Sequence, residues 1–257
     1  MKIKLLTIIV MLGVVSFANA SNLANPASAL PAANILVGAS YHLGGYSLTN
    51  MEVPSMFNRF HGRIDYAPAD FVSFGVDLGT IQIDVDRYTA GTDTVSLFHG
   101  NYGFSGGAHL KLSSPSFLKK MISVFMITQG TMFSSENSSK VSYGGYDGCG
   151  VVGLQIRIPK FGFVSIGPMA YVIEGEARGV DNTKEFYSNV NNIRGWIAID
   201  YHLKSTELTK GSAYISLEFS ASPAANTSDR IPIQDFSFSI SIGFISGKMY
   251  GGDKQPR

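Results

Sequence analysis

The stretch FSFSISIGF, residues 236–244, decides the fold. Phe236, Phe238, Ile240, Ile242 and Phe244 alternate without a break against Ser237, Ser239, Ser241 and Gly243. In a β-strand that period of two puts every large apolar side chain on one side and only small or polar groups on the other. The opposite end of the chain repeats it, with Ile35, Val37, Ala39, Tyr41 and Leu43 against Gly38, Ser40, His42 and Gly44. Between residues 57 and 67 the contrast sharpens: Phe60, Ile64 and Tyr66 oppose Arg59, His61, Arg63 and Asp65.

Working outward from these segments, the same period governs the chain from residue 35 to 246. It predicts ten strands, at 35–46, 57–67, 71–86, 97–112, 121–134, 145–158, 162–176, 190–203, 212–222 and 235–246. Most are longer than nine residues. Strands of soluble proteins average about five or six, whereas a tilted strand crossing a bilayer needs about nine to eleven. The third strand changes phase near Gly79-Thr80: Val72, Phe74, Val76 and Leu78 lead, then Ile81, Ile83 and Val85. A β-bulge there would return all of them to one face. The fifth, MISVFMITQGTMF, is apolar on both faces and the pattern does not orient it.

The connections alternate. Residues 68–70, 113–120, 159–161 and 204–211 are comparatively short, and 47–56, 87–96, 135–144, 177–189 and 223–234 are longer and polar. Tyr66, Phe71, Phe161 and Tyr201 fall near the short turns, and Tyr46, Phe57, Phe98 and Tyr146 near the long loops, as two interfacial aromatic girdles require.

Composition agrees. With 45% hydrophobic and 15% charged residues the chain is too apolar to remain disordered, and a formal charge of +1 calls for no nucleic-acid partner. The single cysteine, Cys149, excludes an intramolecular disulfide framework. Residues 1–20 read as a secretion signal. Lys2 and Lys4 precede the apolar run Leu5 to Val15, and Ala18-Asn19-Ala20 offers a cleavage site. Losing the two lysines takes the charge from +1 to −1. Residues 21–34, small and Pro-containing, read as a flexible periplasmic leader, 35–246 as the barrel and 247–257 as a C-terminal tail.

Signal, meander, alternating loop lengths and the run Phe236 to Phe244 together resemble bacterial outer-membrane β-barrel proteins of the small OmpA-like or porin-superfamily kind. The resemblance is one of pattern over residues 35–246. It implies an all-β, antiparallel, up-and-down transmembrane barrel of about ten strands, with eight or twelve as alternatives, in the outer membrane of a Gram-negative cell. It further implies outer-membrane lipids and the barrel-assembly machinery as partners, and small solutes or extracellular ligands beyond them. The tail after Phe244 departs from the family's usual aromatic ending. A soluble β-sandwich or lipocalin-like protein is the rival fold.

If the apolar face meets lipid, the charged face points inward. The expected lumen-facing polar residues are Arg59, His61, Arg63, Asp65, Asp77, His109, Lys111, Arg157, Arg194, Asp200 and Glu218, with Asp84 and His202 on the same side. Ten strands leave a narrow lumen in which opposite charges should pair. The reading favours a structural protein or a passive small-solute pore over adhesion through the external loops, and over an enzyme. Asp84-Val85-Asp86 and Asp200-Tyr201-His202 resemble the acidic and Asp-His pairs of the omptin proteases, but the strand directions put them at opposite barrel ends. No G-x-S-x-G elbow, metal-ligand spacing or phosphate loop is present, so no catalytic, metal or cofactor site is expected.

Overall fold

The computed structural model describes residues 30–48, 53–86, 88–90, 93–95, 97–118, 121–159, 161–181, 183–203, 211–222 and 236–246. The expected signal 1–20, the loop 223–234 and the tail 247–257 lie outside them. Ten long strands follow one another: β1 (Ile35–Leu48), β2 (Val53–Ala69), β3 (Val72–Val85), β4 (Gly103–Ser113) and β5 (Ile122–Glu136), then β6 (Ser142–Ile158), β7 (Gly162–Arg178), β8 (Lys184–His202), β9 (Ser212–Ala221) and β10 (Phe236–Ile245). Each pairs antiparallel with the next, and β10 returns to β1 through Leu36↔Ile245 to Gly44↔Ser237. The result is a closed up-and-down barrel with no free sheet edge, so every strand has two hydrogen-bonding neighbours.

Alternation sorts the side chains. Ile35, Val37, Phe60, Ile64, Phe74, Val76, Leu154, Ile166, Ile197, Leu217, Phe238 and Ile240 face outward and are exposed. The outward apolar run covers about nine residues of a strand, for example Val72 to Thr80 in β3 and Phe236 to Phe244 in β10. At about 3.3 Å per residue and a tilt near 40°, nine residues make a band about 20 Å tall, the order of a membrane barrel's lipid belt. The start of β1, the end of β10 and the junction of β6 with β7 sit at one end of the barrel. The rule of short periplasmic turns assigns that end to the periplasm.

The expected bulge at Gly79-Thr80 is absent. Pairing of β3 with β2 runs unbroken from Tyr66↔Phe74 to Ser55↔Val85. Ile81, Ile83 and Val85 therefore point inward and are buried, while Thr80, Gln82 and Asp84 point outward. The change of phase is the strand leaving the membrane. Below it, hydrocarbon surrounds the wall and the interior is polar. Above it, water surrounds the wall and the apolar face turns inward, as in a soluble protein. A true register shift occurs in β8, where the pairing with β7 slips between Tyr171↔Asn192 and Ile173↔Asn189. It switches the parity of β8, so Trp196 and, further up, Tyr187 are both buried.

Strands also extend past their expected upper ends. β7 and β8 stay paired to Arg178↔Lys184, so the loop read at 177–189 is mostly strand, closed by a turn at 179–183. There the Asp181 carboxylate accepts hydrogen bonds from the Thr183 hydroxyl at 2.6 Å and the Thr183 amide at 3.2 Å, which hold its pKa below the usual carboxylate range. The loop at 135–144 likewise contracts to Asn137–Val141. β5, unoriented by its sequence, turns Ser123, Phe125, Ile127, Gln129, Thr131, Phe133 and Ser135 inward. The leader's end is tied down. Ala33 N–H donates to Ala67 O at 2.7 Å, and Leu30 is fully buried.

Candidate functional site: the filled lumen

The lumen is filled by three groups of side chains. At the periplasmic end Leu30 joins Leu36, Ala67, Tyr214 and Ile245 in a buried apolar cluster beneath the barrel. Above it an ionic network grows from β2, β3 and β4. Arg63 Nε donates to Asp77 Oδ1 at 2.6 Å, and Lys111 Nζ donates to Asp65 Oδ2 at 2.6 Å. His109 lies between the two carboxylates, its Nδ1 2.9 Å from Asp77 and its Nε2 3.0 Å from Asp65. The ring thus bridges the two carboxylates. Gln129 Nε2 adds a bond to Asp77 at 3.3 Å, and His61 Nε2 meets Ser105 Oγ at 2.8 Å. Across from these, β9 and β10 present hydroxyls: Ser216 donates to Asp200, and Ser220 and Ser237 share a bond of 2.6 Å.

Higher still, charges reach across the barrel. Arg59 on β2 forms an ion pair with Asp147 on β6, four strands away on a ring of ten, with both side chains fully buried. The Arg59 guanidinium lies 5.4 Å from the ring centroids of Phe57 and Phe133. Arg194 on β8 donates to Gly45 O on β1 at 3.0 Å and lies 4.1 Å from the Tyr171 ring and 4.8 Å from that of Tyr46. Aromatic faces attract the cations electrostatically at this depth. Over them sits an apolar lid that includes Tyr46, Phe57, Ile83, Val85, Phe98, Phe133, Ile173 and Tyr187, all buried.

The buried charges nearly balance. Among the described residues Arg59, Arg63, Lys111 and Arg194 face Asp65, Asp77, Asp147, Asp200 and Glu218. Four cations against five carboxylates match to within one charge. An uncompensated charge in this interior would be costly, so the match is physically required.

Ten of the eleven residues expected to face the lumen are buried inside it: Arg59, His61, Arg63, Asp65, Asp77, His109, Lys111, Arg194, Asp200 and Glu218. Arg157 is exposed at the periplasmic rim, because β6 ends one residue later. Asp84 corrects the expectation differently. It points outward above the belt beside His99. His202 packs edge-on against Phe163 at the lower end. Tyr46, Phe57 and Phe98 are not girdle residues but parts of the lid, for the reason already seen in β3. Tyr66, Phe71, Phe161, Tyr201 and Tyr146 are exposed. Asp147 lies outside the expected set, though its odd position puts it on the same face of β6 as Gln155. The Asp84 and Asp200 pairs lie at opposite ends and on opposite sides of the wall, so they share no site. Among the described residues no three His, Cys, Asp or Glu side chains gather to ligate a metal.

An even number of closed strands, an apolar belt outside and paired charges inside meet the requirements of only one environment. The chain is a transmembrane β-barrel of the bacterial outer-membrane type. No family model matches this barrel, and no curated protein does. Among solved structures it is similar to the outer-membrane protease OmpT from Escherichia coli, at 10% identity over 83% of this chain and 95% of that one, with a TM-score of 0.40. It is similar to the translocator domain of the autotransporter NalP from Neisseria meningitidis, at 7% identity over 83% and 88%, TM-score 0.45. It is also similar to the outer-membrane protein OprG from Pseudomonas aeruginosa, at 8% identity over 85% and 98%, TM-score 0.39. Likeness at this level assigns the barrel no activity.

Proposed function

We propose that this protein is a sealed structural barrel of the outer membrane that conducts no solute in its resting form, with residues 1–20 removed on export. The observation that carries the reading is the Arg59–Asp147 ion pair, fully buried and spanning the lumen under the aromatic lid. A conducting barrel keeps a continuous aqueous path along its axis. Here the apolar cluster around Leu36, the ionic network and the lid follow one another along that axis. Arg63, Asp65, Asp77, His109 and Lys111 of β2 to β4 pair with one another, as in a plug, and do not line an open wall.

The test is single-channel recording of purified, refolded protein in planar bilayers. The expected trace is a flat baseline. Steady ohmic conductance from the unmodified protein would overturn the proposal and leave the passive-pore reading in its place.

A further inference from the structure

Just before β1 the chain folds back under the barrel. Asn34 N–H donates to Pro31 O at 3.2 Å, closing a turn in which Ala33 holds a φ of 61°. That is the left-handed region, strained for alanine and open to glycine. The turn carries Leu30 into the periplasmic mouth, against Leu36, Ala67, Tyr214 and Ile245. The Tyr214 ring crosses two glycines there: a Cβ on Gly243 would stand 2.7 Å from its Cε1, and one on Gly38 would stand 2.9 Å from its hydroxyl. Leu36 pairs directly with Asp65, so the ionic network begins immediately behind the cluster.

We infer that residues 30–34 are a releasable latch: Leu30 shuts the periplasmic mouth when seated, and its withdrawal admits water to Tyr214 and to the Asp65–Lys111 pair. The inference deepens the sealed-barrel reading and rests on it. Two observations make the latch separable from the wall. First, the strand pairings do not depend on it. β1 pairs with β2 from Ile35↔Tyr66 and with β10 from Leu36↔Ile245, so Leu30 swings out while every ladder stays closed. Second, the hold is light. Ala33 N–H donates to Ala67 O at 2.7 Å, Ala67 N–H returns a bond to Asn34 O at 3.1 Å, and Ala32 N–H donates to Asp70 Oδ1 at 2.8 Å. Ala32 and Ala33 are exposed, and Leu30 is the only one of residues 30–34 that is buried. Local opening takes least free energy where few apolar groups are buried and the hydrogen bonds face solvent. The left-handed Ala33 lowers it further.

A single thiol beside Leu30 tests this. Cys149 is the one cysteine of the chain, so Leu36→Cys in a Cys149→Ser background reports from the mouth alone. Its reaction with a membrane-impermeant maleimide is timed on the folded protein in detergent micelles and on the same protein unfolded in urea. The folded protein is expected to react slowly but measurably, far below the unfolding transition. Leu30→Asp, checked as folded by its heat-modifiable gel shift, is expected to speed the reaction about tenfold or more, the factor that burial of one leucine represents. Ala33→Gly relieves the left-handed strain and is expected to slow it several-fold. A folded protein that reacts as fast as the unfolded one has an open mouth and overturns the inference. Reaction that appears only with global unfolding overturns it too, as does an unchanged rate in folded Leu30→Asp. If Leu30→Asp fails to fold, Ala33→Gly decides, and a rate that does not fall overturns the latch. Conductance of the unmodified protein would remove the sealed-barrel reading by itself, whereas a flat baseline with an unprotected thiol removes the latch alone.

Discussion

Arginine placed at successive outward positions of β3 measures where the membrane ends. Val76 lies at the middle of the outward run from Val72 to Thr80, and Gln82 lies six residues further along the same face. Six residues rise about 20 Å along the strand and about 15 Å along the membrane normal at a tilt near 40°. Half of a belt about 25 Å tall is about 12 Å, so Gln82 stands beyond the hydrocarbon while Val76 stands at its centre. Val76→Arg is then expected to destabilise the barrel by about 2–4 kcal/mol and Gln82→Arg by about 0–1 kcal/mol. Next to Gln82, Ile83 reports the other face. Ile83→Ala removes methylenes from a packed interior and is expected to cost about 2–5 kcal/mol. The assay is reversible urea unfolding in phospholipid vesicles, followed by the fluorescence of Trp196, the single tryptophan. Equal costs at Val76 and Gln82, with a near-neutral Ile83→Ala, would mean that the apolar run keeps to the lipid side through a bulge. The account of β3 would then be wrong.

Removing Arg59 alone, as Arg59→Ala, strands the Asp147 charge in the lumen and is expected to cost about 3–5 kcal/mol in the same unfolding assay; replacing both partners, Arg59→Met with Asp147→Leu, should recover most of it. No recovery in the double variant would show that the ion pair is not the interaction lost. Gly79→Ala puts a Cβ against the Phe60 carbonyl of the neighbouring strand and is expected to abolish the heat-modifiable shift or lower its midpoint, whereas Gly62→Ala, whose Cβ meets only Leu78 O at 3.7 Å, should leave it in place. Equal behaviour of the two would contradict the packing of β2 on β3. The Asp181 carboxylate, held below the usual range by Thr183, should stabilise its turn at neutral pH and lose that effect as pH falls through its lowered pKa. An NMR titration midpoint at or above the ordinary carboxylate value would refute it.

Local pattern carried much of this molecule. Alternation in 35–43, 59–66 and 236–244 is a property of each strand alone. Side chains two residues apart share a face whatever the neighbours do, so the strands, their number and the inward place of Arg63, Asp65, Asp77 and Lys111 were legible. What alternation does not state is the medium on each side of the wall. The apolar face of a strand points outward inside the membrane and inward above it. The turnover in β3 therefore reads as a bulge until the height of Gly79 relative to the belt is known. The same ambiguity sent Tyr46, Phe57 and Phe98 to a girdle when they belong to the lid, and left β5 without an orientation.

The partners across the lumen were also beyond the linear pattern. Arg59 meets Asp147, 88 residues away, and Arg194 meets Gly45, 149 residues away. Only closure of the ring sets β2 facing β6 and β8 within reach of β1. Sequence alone determined that the wall has a greasy side and a charged side. The tertiary structure decided which charges meet, because a buried charge must find its counterion across whatever space the closed barrel leaves.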